Sequence, residues 1–242
     1  PSMLIKPYGF NGVLYGIAGL VLVVVFLLPF FPRTGKRGDN EATPNSSRIS
    51  AREAVGMWFL LVSLVLFFTA ESAIWSFLGR IGNSSGFDPD ALGTVLAASL
   101  GTAMLGALSE AVVGERVRLR HGVMFVNGLF VVGVLTLFAA DSLLLYAIAA
   151  LTMTFSVGFG VAIYMASVAV LDRGGRFVAL TVPALGLGAA FGPGLAGLIL
   201  QRVHEFGLIA SAIVLSFLAV LCFSVGIRGV RAVQKSVLPE TD

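Results

Sequence analysis

The chain has 242 residues, 57% of them hydrophobic and 12% charged, with 29 glycines, one cysteine and a formal net charge of +3. Soluble domains carry about 25% charged residues, so this composition excludes a soluble enzyme, a nucleic-acid-binding domain and a disordered segment. A lone cysteine, Cys222, excludes an internal disulfide and a cysteine metal cluster.

A helix that crosses a bilayer needs about 20 mainly apolar residues. Seven runs qualify: Gly12–Phe31, Ala54–Leu78, Ala91–Val113, Gly122–Ala140, Ser142–Leu171, Phe177–Leu200 and Phe206–Gly226. Barrel strands are shorter and alternate in polarity, whereas these runs are apolar all round. The predicted fold class is therefore all-α, a polytopic membrane protein of about seven transmembrane helices. Pro1-Ser2-Met3-Leu4 puts no basic stretch ahead of the first run, and no small-residue cleavage site follows, so a signal peptide is not expected. The first residue is Pro rather than Met, as in a fragment, a processed product or a trimmed chain.

Between the first and second runs lies the one true linker, Pro32–Glu53, rich in Gly, Asn, Ser, Thr, Pro and charge. The expected organisation is residues 1–31 as a single helix, 32–53 as a linker, 54–227 as a six-helix bundle and 228–242 as a tail. Sorted by loop, 13 of the 16 Lys and Arg fall on one side and 3 (Lys6, Arg80, Arg202) on the other. Such an excess marks the cytoplasmic side. The linker and C-terminus are expected in the cytoplasm, the N-terminus outside, and the protein in a bacterial inner membrane.

Charged groups inside a membrane are costly and invite a functional reading. Glu71 lies seven residues before Leu78, with no Lys or Arg inside any span to pair with it. A carboxyl that is neutral when buried and ionised when wetted can carry a proton, so Glu71 is the proton-coupling candidate. The alternative is a hydrogen bond to a neighbouring Ser or Thr, or a pair with a residue outside this sequence. Glu110 sits near the cytoplasmic end of its span, ahead of Arg116, Arg118 and Arg120, and is expected to form an ion pair or cap a loop.

Thr152, Ser156, Gly160, Tyr164 and Ser167 recur at spacings of 4, 4, 4 and 3 and share a helix face. Such a stripe either lines an aqueous cavity or forms a seam where helices approach closely. Thr94, Ala98, Thr102, Gly106 and Glu110 form a second stripe, expected to pack, as are the glycines of Gly186–Gly197. Pro193, beside Gly192, frees a backbone carbonyl and permits a bend. Trp58 and Trp75 suit interfacial anchors, Asn127 a structural hydrogen bond, and Cys222 a packed apolar position.

One helix, a long cytoplasmic loop and six more helices resemble the major facilitator superfamily of secondary transporters, which join two six-helix halves through such a loop. On that resemblance Gly12–Phe31 is similar to the sixth helix and the spans from Ala54 to the seventh to twelfth. Three local matches support it. Gly106–Arg120, with Glu110 in the acidic position, resembles a degenerate Gly-x-x-x-Asp-Arg-x-Gly-Arg loop signature; Ala111 replaces the Arg that follows the acid. Asp172-Arg173-Gly174-Gly175-Arg176 resembles a short acid–Arg–Gly–Arg cytoplasmic turn. Gly188–Gly197 resembles the Gly-x-x-x-Gly-Pro helix of many exporters. The resemblance implies gating roles for Glu110, Arg116, Asp172, Arg173 and Arg176, and a cavity lined by the helices carrying Glu71 and Thr152–Ser167.

The function expected is secondary active transport of a small molecule by alternating access, proton-coupled and tilted toward export. The partners are that substrate, protons, the bilayer and an N-terminal half-bundle that this sequence lacks, without which the 242 residues do not transport. No nucleic acid, cofactor or metal is called for. The alternative is a seven-helix receptor or sensor. A retinal protein is excluded because Lys6, Lys36 and Lys235, the only lysines, all lie outside the spans. An intramembrane enzyme is not expected, since no His-Glu-x-x-His, Gly-x-Ser-x-Gly or paired intramembrane aspartates occur.

Overall fold

The computed structural model describes residues 50–172 and 174–237, apart from the side chains at 115, 203–205 and 232–237. The run Gly12–Phe31, the linker up to residue 49, Arg173 and the last five residues lie outside the described part. Within it the chain is helical: α1 (Ala51–Ser84), α2 (Pro89–Val113), a 3-10 turn (Gly114–Arg116), α3 (Leu119–Phe138), α4 (Leu143–Leu171) and α5 (Arg176–Val237). Six stretches are long and apolar enough to cross a membrane, α5 supplying two: α5a (Arg176–Arg202) and α5b (Phe206–Arg231). Six such helices are compatible with an integral membrane protein.

Helix starts follow from capping chemistry. Ser50 accepts a hydrogen bond from the Glu53 N–H at 3.2 Å, and Asp88, followed by Pro89, accepts one from Ala91 N–H at 3.0 Å. Ser142 does the same for Leu145 at 3.4 Å. Each satisfies an N–H that the first helical turn leaves orphaned. The ends run further than the apolar runs. α1 continues to Ser84 rather than stopping at Leu78, and helix continues through Val237, beyond the apolar run that closes at Gly226.

α5 has no break where a loop was expected, yet it cannot be straight. Phe177 stacks edge-on against Trp58 with ring centres 5.9 Å apart, while a Cβ on Gly56 would lie 2.8 Å from Val230. Both contacts fall at the start of α1. A straight helix would separate residues 177 and 230 by roughly 80 Å. The chain therefore turns back near residues 202–206, beside the far end of α1.

Residue pairings fix the directions. Trp58, Phe68 and Ser72 meet Phe177, Gly188 and Gly192 in that order, so α5a runs parallel to α1. Gly56 and Ser63 meet Val230 and Ala219, so α5b runs antiparallel to it. Thr102 and Gly106 meet Thr154 and Phe159, so α2 is parallel to α4. Gly122, Val126 and Gly133 meet Ile163, Gly160 and Met153, so α3 is antiparallel to α4. The spans thus form two triplets of opposite direction, α1–α2–α3 and α4–α5a–α5b. α4 holds α2 and α3 as α1 holds α5a and α5b. The self-paired contacts lie where an axis relating the triplets must pass: α1 with α4 through Phe67 and Tyr164, and α3 with α5b through Asn127 and Ser216.

Candidate functional site

Two interfaces are built on missing side chains. A Cβ on Gly158 would collide with the Ala103 carbonyl, and one on Gly106 would lie 2.8 Å from the Phe159 nitrogen, so α2 and α4 touch backbone to backbone. On the equivalent side, a Cβ on Gly188 would stand 2.8 Å from the Val65 carbonyl oxygen and one on Gly192 2.6 Å from the Ala73 nitrogen. Each interface adds a hydroxyl: Thr102 and Thr154 share a hydrogen bond at 2.8 Å, and Ser72 donates to the Gly188 carbonyl at 3.1 Å. The packing expected of the Thr102–Gly106 stripe and of Gly188 and Gly192 is therefore present. Gly186, Gly194 and Gly197 face open space, and the helix continues through Pro193.

Glu71 stands deeper than the apolar run suggested. Its helix ends at Ser84, so the carboxyl lies roughly 20 Å from one end and 30 Å from the other at 1.5 Å per residue. It is half-buried. Phe67 and Leu78, on its own side of α1, pack toward α4, whereas Phe68, Thr69 and Ser72 pack toward α5a. Helical geometry places Glu71 between these two faces. The nearby hydroxyls are committed elsewhere: Thr69 donates to Val65 at 2.8 Å, Ser72 to Gly188, and Ser76 to Ser72 at 2.7 Å. Among the described residues, none forms a hydrogen bond or ion pair with the Glu71 carboxylate. The structural alternative, a bond to a neighbouring Ser or Thr, is absent there.

The α4 stripe does not line a cavity. Ser156, Tyr164 and Ser167 are fully buried. Ser156 bonds the Met153 carbonyl and Ser167 that of Ile163, both at 2.6 Å, while Gly160 receives Phe67 and Val126. Tyr164 accepts from Asn127 at 3.0 Å, and Asn127 accepts from Ser216 at 2.8 Å. This chain of side chains ties α3, α4 and α5b. Only Thr152 is part-exposed. The stripe is a packing seam because small hydroxyls close onto their own helix and leave room for a neighbour. Asn127 makes the structural bond expected of it; Ser216, 89 residues away, gave no signal of its own.

Among the described residues the gating candidates lie at one end of the helices and form no ion pair with one another. Asp172 caps α5, accepting from the Gly174, Phe177 and Val178 N–H groups at 3.1, 2.7 and 2.9 Å. Gly175 makes the turn with φ of 71°, a conformation that costs glycine little. Glu110 lies over Gly114, the residue that ends its helix, and of the two roles expected of it the ion pair is absent among the described residues. Arg116 and Arg176 are exposed; Arg173 lies outside the described residues. A cleft of about 350 Å³ between α1 and α5a is lined by Phe77, Arg80, Gly197, Leu200 and Gln201, and Glu71 is not among its walls.

No protein-family model matches this chain. No curated protein matches it either. Of the two tryptophans, Trp58 is exposed and Trp75 is half-buried.

Proposed function

We propose that the chain is the C-terminal portion of a secondary active transporter that moves a small molecule by alternating access, coupled to protons through Glu71. The observation that carries this reading is the inverted relation of α1–α2–α3 to α4–α5a–α5b. Transporter folds of this kind are built from inverted triplets, with sites near the bilayer midplane at a repeat interface. A mid-helix carboxyl with no partner among the described residues supports it, because intramembrane acids mark ion and substrate pathways.

The reading assigns the open small-residue faces of α2 and α5a, the two least buried spans, to a second six-helix bundle of the major facilitator type. It places the Arg116–Arg120 and Arg176 end in the cytoplasm of a bacterium and makes that end the gate, with export the favoured direction. Glu71 releases its proton when the cavity wets it and regains it when the cavity closes.

The test is Glu71→Gln in the complete transporter, reconstituted in liposomes with an imposed pH gradient. Loss of gradient-driven flux, with membrane insertion intact, is the expected result. Unchanged dependence on the gradient removes Glu71 from the mechanism. Robust flux by the 242 residues alone overturns the half-transporter reading.

A further inference from the structure

The exposed side of α1 is not uniform. Arg52, Val55, Phe59 and Val62 fall at spacings of 3, 4 and 3 and form one stripe along the helix. All four are exposed. α5a flanks this stripe on one side, where Phe177 meets Trp58 and Gly188 and Gly192 meet Thr69 and Ser72. α5b flanks it on the other, where Val230 meets Gly56 and the Ala219 carbonyl accepts from Ser63 at 2.7 Å. The stripe is the floor of a groove about 15 Å long at 1.5 Å per residue.

One end of this groove is cationic. Arg52 lies at the head of the stripe, and Arg176 opens α5a directly before Phe177, which touches Trp58. Neither arginine makes an ion pair or hydrogen bond among the described residues. Asp172 spends its carboxylate on the Gly174, Phe177 and Val178 N–H groups, and Glu53, next to Arg52 in the first turn of α1, gives its backbone N–H to the Ser50 cap. Trp58, 55% exposed, stands about 9 Å further along α1 than Arg52, at the depth where amphipathic rings collect in membranes.

A cation, then an indole, then an apolar strip is the mirror of a phospholipid: phosphate, glycerol region, acyl chain. We propose that the α1 groove between α5a and α5b binds an anionic phospholipid, its headgroup held by Arg52 and Arg176 and its chain laid over Val55, Phe59 and Val62 beside Trp58. Retention of arginines on one membrane side requires only that they lie in loops. It does not require two unpaired ones at the mouth of an apolar groove. Arg116 and Arg118 follow α2 and belong to a different part of the rim, whereas Arg228 and Arg231, exposed on α5b beside Val230, add to the positive charge of this end.

Trp58 reports on the groove once Trp75 is changed to Phe. The full chain bearing Trp75→Phe is reconstituted in phosphatidylcholine containing a fixed fraction of brominated phosphatidylglycerol, and in the reverse mixture with brominated phosphatidylcholine. Bromine quenches an indole in contact with it. The relative association constant is expected to favour the anionic lipid about fivefold, the scale of one arginine at a membrane surface. Arg52→Gln with Arg176→Gln is expected to bring the ratio close to one, while Arg116→Gln with Arg118→Gln preserves it. Should the first pair disturb folding, the same ratio in the Trp75→Phe chain falls with added salt if the headgroup is bound by charge. Equal quenching by both lipids overturns the proposal. So does the absence of quenching by either, which would mean that another part of the chain lies over the stripe. A ratio that falls equally with both arginine pairs reduces the effect to general surface charge and also overturns it.

Discussion

Adding one methyl group at Gly158 is expected to drive α2 and α4 apart. Built on the native backbone, that Cβ would stand 2.7 Å from the Ala103 carbonyl carbon and 2.9 Å from its Cα, against ~3.5–4.0 Å for ordinary carbon contacts. The obstacle is main chain and has no rotamer to move to, so the helices must separate by roughly 1 Å. Overpacking of this kind costs about 1–3 kcal/mol. Replacing a helical Gly by Ala returns about 1 kcal/mol of backbone entropy. The upper end of the cost applies here, giving a net loss of about 2 kcal/mol for Gly158→Ala. Gly101, on α2, has nothing within 4 Å of its Cβ direction, so Gly101→Ala keeps the gain of up to about 1 kcal/mol. The two variants should therefore differ by about 3 kcal/mol with the same chemical change. The single cysteine supplies the assay: a thiol-reactive dye reports unfolding in detergent as half-buried Cys222 becomes reactive. Gly158→Ala as stable as Gly101→Ala would refute the close backbone approach.

The inverted relation predicts a matching loss at Gly192→Ala, where a Cβ meets Ser72, Ala73 and Thr69; the same dye assay reads it. Asn127→Ala and Tyr164→Phe should be non-additive, with a double-mutant coupling of about 0.6–1.7 kcal/mol, the range of interhelical hydrogen bonds in membranes; additive losses would separate the two residues. Asp172→Ala removes the cap of α5 and should cost about 1–2 kcal/mol, visible as earlier dye reaction on heating and as faster hydrogen exchange at Phe177 and Val178. Tyr146→Phe deletes the hydroxyl that donates to the Leu78 carbonyl at 3.0 Å and should cost about 1 kcal/mol, measured the same way.

The six described spans were legible because apolar runs of membrane length leave few alternatives. Their ends were less so. Gly79–Ser84 contains Arg80, Asn83 and Ser84, polar enough to close an apolar window, yet nothing there breaks a helix, and Ser84 and Ser85 both donate to the Ile81 carbonyl. The same holds at Gln201 and Arg202, where no Gly or Pro marks the reversal that the partners of Phe177 and Val230 require. The α4 stripe was readable as a face but not as a seam or a cavity wall. That choice turns on what faces it, and Phe67 and Val126, which fill the space over Gly160, come from two other helices. Glu71 was found by its charge alone; its distance from the helix ends was not, because the end of α1 was placed too early. The two opposed triplets carry no shared motif. They are related by which backbones touch, through Gly106 and Gly158 in one and Gly188 and Gly192 in the other, and sequence does not record contact.

The interleaving of the triplets sets an order of events during synthesis. Of the described spans α1 leaves the ribosome first, yet it makes its main contacts with the last two. Ser72 waits 116 residues for the Gly188 carbonyl and Ser63 waits 156 for that of Ala219. At ~5–20 residues per second, that interval is roughly 6–30 s. Meanwhile α4 meets α2 and α3 as soon as it emerges, so the second helix group closes before α5a and α5b reach α1. Until α5 folds back along it, α1 has only its contacts to α2, α3 and α4 through Gly82, Phe67 and Leu78, and the face of Phe68, Thr69 and Ser72 beside Glu71 stays uncovered.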